Sequence, residues 1–183
     1  MALFGLFGAD PLKEAAYAMY RTAGSQAREP LFFEKMAVQD DFDGRFDMLV
    51  LHVHLLIRRL RALPEKAKAA QQHLFDVFIQ DLDQGLRLSG VGDIGIGHRV
   101  KKMTHAYYGR AVAYDEALDA GDAEVLRQAL HRNLYRGRDV PEAVQAAVTD
   151  YVMALERSLK ELPDAALLDG RIEFGAPEPE GTS

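Results

Sequence analysis

The stretch DDFDGRFDMLVLHVHLLIRRL, from Asp40 to Leu60, limits what this chain can fold into more than any other. It opens on the acids Asp40, Asp41, Asp43 and Asp47. It then runs apolar from Met48 to Ile57, interrupted only by His52 and His54, and closes on Arg58, Arg59 and Arg61. Acids first and cations last match the polarity of a helix macrodipole. Asp41 or Asp43 can cap the first turn. A helix apolar around most of its circumference must be packed on several sides, so Phe46 to Leu60 reads as the central helix of an all-α protein. A membrane span needs about 20 apolar residues. The run here is about half that and holds two histidines, which favours a buried core helix.

Helical signals recur along the rest of the chain. Asp10-Pro11 is an N-cap with proline at the first helical position, followed by Leu12, Ala15, Ala16, Met19 and Ala23 at helical spacing, with Gly24 as the stop. Ser25 to Gln39 reads as a short helix with loops around Leu31, Phe32 and Phe33. After Leu63-Pro64-Glu65, residues Leu74, Phe78, Leu82 and Leu86 mark a long helix from Glu65 to Leu88. A helix from His98 to Ala120 follows, with a core seam through Val100, Met103, Tyr107, Ala111, Tyr114 and Leu118. Gly121-Asp122 ends it and caps another helix, which Gly137 closes. Asp139-Val140-Pro141 starts the last long helix, which Pro163 ends. Leu167, Leu168, Ile172 and Phe174 are expected as an extended strip on the body.

These elements predict a single-domain, all-α bundle of six or seven helices without a substantial sheet. An apolar segment spans residues 1–9, the helical domain residues 10–174, and a tail expected to be disordered residues 175–183. Leu3, Phe4, Leu6 and Phe7 suit either the core, a hydrophobic groove or a membrane interface.

Composition narrows the chemistry. A net charge of −6 argues against DNA as a partner, although a local basic patch at Lys101 and Lys102 stands out. The absence of cysteine removes disulfides, thiolate nucleophiles and cysteine-bound zinc. Ser89 to Gly97, SGVGDIGIG, fits neither a dinucleotide fingerprint nor a P-loop and reads as a helix–helix connection with Val91, Ile94 and Ile96 turned inward. His52 and His54 are two apart, lie on opposed sides of a helix and cannot share a metal. No nucleophile elbow and no metal-binding helix motif occurs. Gly109 sits mid-helix, where glycine costs about 1 kcal/mol against alanine. Close approach of another helix is the expected reason.

Two stretches carry a resemblance. One is Asp43-Gly44-Arg45-Phe46-Asp47 leading into Leu49-Val50-Leu51-His52. The other runs from Leu86-Arg87 through Gly90-Val91-Gly92-Asp93 to Lys101-Lys102-Met103, Tyr107-Tyr108-Gly109-Arg110 and Tyr114. Together with Arg28, Phe32-Phe33, Leu74-Phe75-Asp76, Asp81 and Arg132-Asn133-Leu134, the chain resembles the ubiquinol–cytochrome c chaperone family. The resemblance implies a non-enzymatic assembly chaperone without a cofactor. Its client would be newly made cytochrome b during biogenesis of the ubiquinol–cytochrome c reductase. It further implies a small partner protein, work near the ribosome exit and peripheral contact with a membrane. Without an import signal in Met1 to Tyr20, the expectation is a bacterial, cytoplasmic protein that meets the inner membrane peripherally. The implied partner-binding residues are Arg45, Asp81, Arg87, Asp93, Lys101, Lys102, Tyr108, Gly109, Arg110 and Tyr114. Several admit a structural role instead, with Arg45 expected to pair with a carboxylate such as Asp81 or Asp93. Two other readings stand beside this one. A helical protein could bind haem or a small ligand through His52, His54 or His105, and an enzyme of unrecognised type is the third.

Overall fold

The computed structural model describes residues 10–88 and 93–175, apart from the side chains of Lys66, Asp93 and Ile94. The segment 1–9, the connection 89–92 with Val91, and the tail beyond Gly175 lie outside the described residues. The elements are α1 (Pro11–Gln26), α2 (Pro30–Glu34), α3 (Phe42–Arg61), a 3-10 turn (Glu65–Ala67), α4 (Lys68–Leu88), α5 (Asp93–Ala120), α6 (Ala123–Asn133), α7 (Glu142–Glu161) and α8 (Asp164–Leu168). Six helices are long, α2 and α8 are little more than a turn each, and no strand occurs among the described residues.

The apolar stretch is the axis of this all-α fold. Asp41 caps α3 by accepting from the Gly44 N–H at 2.7 Å. Every residue from Phe46 to Ile57 is buried. A helix without a polar face needs neighbours on all sides, and α1, α4, α5 and α7 supply them. Fully burying a leucine such as Leu51, Leu55 or Leu56 stabilises by about 1.5–3 kcal/mol, so α3 anchors the domain. Its N-terminal turn depends on Gly44, because a Cβ there would collide with the Gln39 carbonyl.

Local chemistry moved some boundaries. The first helix does not stop at Gly24 but continues to Gln26. Gly24 is buried, and the Arg28 guanidinium folds back to donate to its carbonyl at 2.7 Å. The fifth helix begins at Asp93, not His98, so Gly95 and Gly97 are helical and Ile96 is buried as expected. Tertiary packing overrides glycine's poor helix propensity there. Leu167 and Leu168 form a helical turn instead of an extended strip. Gly170 (φ +70°) then reverses the chain, pressed so closely on α1 that a Cβ would lie 2.9 Å from Ala15 Cα. Beyond it, Ile172 is buried, and the Phe174 ring centroid lies 5.5 Å from that of His52.

Gly109 is the clearest correction. Apart from its chain neighbours and the backbone of its own helix, nothing lies within 4 Å of a Cβ built there, and the residue is exposed. It marks no close helix crossing.

Candidate functional site

The two histidines of α3 face different neighbours. His52 is fully buried, with Nδ1 2.8 Å from the Met48 carbonyl and Nε2 2.7 Å from the Tyr151 hydroxyl. A carbonyl only accepts, so Nδ1 carries the proton. Nε2 accepts from Tyr151, whose oxygen accepts in turn from the Gln26 amide at 3.1 Å. Burial pushes the His52 pKa down to about 4, which keeps the ring neutral. Both its nitrogens are committed, so haem ligation through His52 would require breaking this chain of hydrogen bonds. His54, also fully buried, donates from Nε2 to Asp115 at 3.0 Å, while its Nδ1 has no partner among the described residues. His105 is exposed. Among the described residues, no three His, Asp or Glu side chains converge where a metal ion could sit.

A cleft of about 380 Å³ lies at the C-terminal end of α3, among Arg58, Arg59, Arg61, Asp115, Asp119 and Glu156. Its charges are already matched internally. Arg58 reaches Asp115 at 3.0 Å and Asp119 at 2.6 Å, and Arg61 reaches Asp115 at 2.6 Å. Burial alone would raise the Asp115 carboxyl, but hydrogen bonds from His54, Arg61 and Arg58 outweigh it and hold the group well below the usual carboxylate range. Arg59 donates to the carbonyls of Leu159 and Leu162 at 2.7 and 3.0 Å, satisfying groups left open at the end of α7. This cleft latches helices together and leaves little for a partner to recognise.

A second latch closes the other end of α3. Asp47, read from sequence as one of four acids at the helix mouth, is buried. It meets Arg110 at 2.7 Å and Arg136 at 2.9 Å. Burial pushes its carboxyl above the ordinary value, opposed by the two guanidinium groups. Arg110 therefore points inward, over the Phe46 ring at 5.8 Å. Tyr114 is 1% exposed, which makes it a core residue and not a contact surface for a partner. Both belong to the seam that ties α5 to α3.

The groove with an open apolar floor lies elsewhere. About 210 Å³ of space is lined by Ala27, Arg28, Phe42, Arg45, Phe46, Leu49, Asp81, Leu82, Gly85 and Met103. Phe42, at the first turn of α3, is 58% exposed. Full burial of a phenylalanine is worth about 1.5–3 kcal/mol, so a ligand covering the exposed part of Phe42 would gain a share of that. Gly85 has nothing within 4 Å of a Cβ position, which keeps the α4 wall low.

This groove unites two of the residues singled out from sequence, though not as a pair. Arg45 meets Asp40 at 2.6 Å and overlies the Phe33 ring at 5.9 Å. Asp81 instead accepts from the Tyr20 hydroxyl at 2.7 Å. Arg87 pairs with Asp83 at 2.7 Å on exposed α4. The Asp93 side chain lies outside the described residues. Lys101 and Lys102 are exposed, as their place off the core seam implies, and so are Tyr108 and Gly109. Phe42 and Gly85 were not singled out from sequence. A phenylalanine between Asp41 and Asp43 at a helix start was the available signal for Phe42.

A model of the ubiquinol-cytochrome C chaperone family matches residues 34–174. The chain belongs to that family. It is 26% identical over 158 residues to ubiquinol-cytochrome-c reductase complex assembly factor 1 of Xenopus laevis, covering 86% of this chain and 78% of the relative. It is 30% identical over 152 residues to Protein CBP3, mitochondrial, of Saccharomyces cerevisiae. That match covers 80% of this chain but only 44% of the yeast protein. The crystal structure of the Cbp3 homolog from Brucella abortus superposes with a TM-score of 0.82 at 32% identity, over 91% of this chain and 92% of that one. The family match takes in the whole central helix and every groove residue except Ala27 and Arg28. No helix among the described residues of this family member is long and apolar enough to cross a membrane.

Proposed function

We propose that this chain is a non-enzymatic assembly chaperone for the ubiquinol–cytochrome c reductase, and that it holds newly made cytochrome b. The observation that carries this reading is the family match over residues 34–174. Relatives named as assembly factors of that reductase support it. The groove around Phe42 suits such work, because an apolar floor with a charged rim accepts apolar side chains of a client without chemistry. The structural devices elsewhere serve stability: both latches on α3 are internally paired.

The test is affinity capture of the tagged chain from detergent-solubilised membranes of a cell that makes the reductase. Cytochrome b should be enriched over other polytopic membrane proteins. Enrichment no greater than with the tag alone would end the proposal. A visible spectrum of the purified protein should lack a Soret band, and such a band would favour haem binding instead.

A further inference from the structure

The helix α5 carries an unusual distribution of charge. The chain holds 28 acids and is acidic overall, yet no Asp or Glu occurs from Ile94 to Tyr114. That stretch contains Arg99, Lys101, Lys102 and Arg110, with His98 and His105. Arg110 is spent on Asp47. The other three cations are exposed and have no carboxylate partner among the described residues.

Lys101 and Lys102 border one exposed face, and Arg99 projects from the other flank of the helix. With 3.6 residues per turn, His98, Lys101, His105, Tyr108 and Val112 stack along the helix at spacings of three and four, roughly 130° around from the buried line of Ile96, Tyr107, Ala111 and Tyr114. Lys102 and Gly109 lie beside that row. All of these outer residues are exposed, and the two apolar ones strongly so: Tyr108 at 54% and Val112 at 57%. The Tyr108 ring is held in place by Phe75 and Tyr107, with centroids 5.7 and 5.3 Å away. Gly109 adds no side chain beside it, so the surface there is low.

We infer that this face of α5 docks on an anionic lipid bilayer, with Lys101 and Lys102 at the headgroups and Tyr108 and Val112 in the interface. Peripheral membrane binding draws on two attractions, cations for anionic headgroups and exposed apolar side chains for the acyl boundary, and this face presents both. Each lysine near an anionic surface adds attraction that salt screens. A membrane is favoured over single-stranded RNA by shape and chemistry. RNA-binding surfaces track the strand in a positively charged groove with several stacking rings. Here the cations stand on a convex helix with no groove to track a strand, and Val112 gains only from an apolar medium. The inference stands apart from the choice of cytochrome b as client, since it concerns the surface on which the protein rests.

The test is co-sedimentation of the full chain with phosphatidylcholine vesicles, with and without phosphatidylglycerol. Binding should require phosphatidylglycerol and weaken as salt rises. Reversing both charges, Lys101→Glu with Lys102→Glu, should lower the partition roughly tenfold or more, with an unchanged thermal midpoint. Lys101→Gln with Lys102→Gln repeats the test should the charge-reversed protein melt early. Val112→Asp should also lower the partition. Three results would overturn the inference: no sedimentation with either vesicle, equal sedimentation with both, or full binding by the charge-reversed protein. Retention of an oligouridylate by the same two lysines, without vesicle binding, would make the strip an RNA surface.

Discussion

Tyr151 donates its hydroxyl proton to Nε2 of His52 across 2.7 Å, in a part of the interior that water does not reach. The bond joins α7 to α3 and leaves the imidazole no place for a second proton. Tyr151→Phe should destabilise the fold by about 1–3 kcal/mol, because it strands the His52 acceptor. The urea midpoint at neutral pH measures this.

The same burial makes stability depend on pH. In the unfolded chain His52 takes up a proton near pH 6.5. In the fold it resists until about pH 4. Between those values the unfolded state binds more protons, so stability falls as pH drops through that window and this contribution levels off below it. The expected loss attributable to His52 is up to roughly 3 kcal/mol. Urea titrations at pH 7 and pH 4.5 should show a steeper loss for the wild type than for His52→Gln, and equal losses would refute the assignment.

Asp47 should be among the least replaceable polar residues. Asp47→Ala leaves Arg110 confined without its counter-charge, and breaking a buried pair in this way costs about 3–5 kcal/mol. Arg136→Ala should cost much less, since that side chain is 41% exposed and also reaches Asp43. Denaturant unfolding of the two variants gives the comparison.

At Gly109 the expectation reverses sign from the one its sequence context suggests. With open space around the Cβ position, Gly109→Ala should stabilise by about 0.5–1 kcal/mol through helix propensity. A lower melting temperature would mean that another surface of the protein meets this site in solution.

Gly85 allows the groove to be blocked without touching the core. A leucine there has room to grow from α4 into the groove. Gly85→Leu should keep the melting temperature near wild type and reduce cytochrome b capture severalfold. Undiminished capture would move the client to another face.

The central helix was legible because apolarity on every side admits few placements, but its start was not: the pattern began it at Phe46 with Asp41 or Asp43 as cap, and it opens at Phe42 on Asp41. The seam of α5 was legible for the same reason, so Tyr114 belongs to the core, as its own spacing said, despite its place among the resemblance residues. What remained hidden depended on partners distant in sequence. Asp47 is indistinguishable from a solvated first-turn acid until Arg136, 89 residues on, reaches it. Gly109 was misread because its propensity cost was assigned to packing, and nothing packs on it. Arg45 and Asp81 do border one groove, but nearer groups claim their charges. The groove itself follows from the angles between α1, α3, α4 and α5, which periodicity does not carry.

The first helix, packed mainly on α4 and α3, is also pinned by the end of the described chain. The Gln26 amide donates to the Gly175 carbonyl at 3.1 Å, 149 positions later, and Gly170 presses on Ala15 and Ala18. During synthesis α1 is made early, yet these closing contacts do not exist until nearly every other helix has been produced. Such long-separation contacts form late because loop closure must come first. The contacts that join the two ends of the described chain are therefore expected to close late in folding. A chain truncated before Gly170 should loosen the turn of α1 around Ala15 and Ala18, seen as faster amide exchange there, while α4 and α3 still hold the rest of the helix.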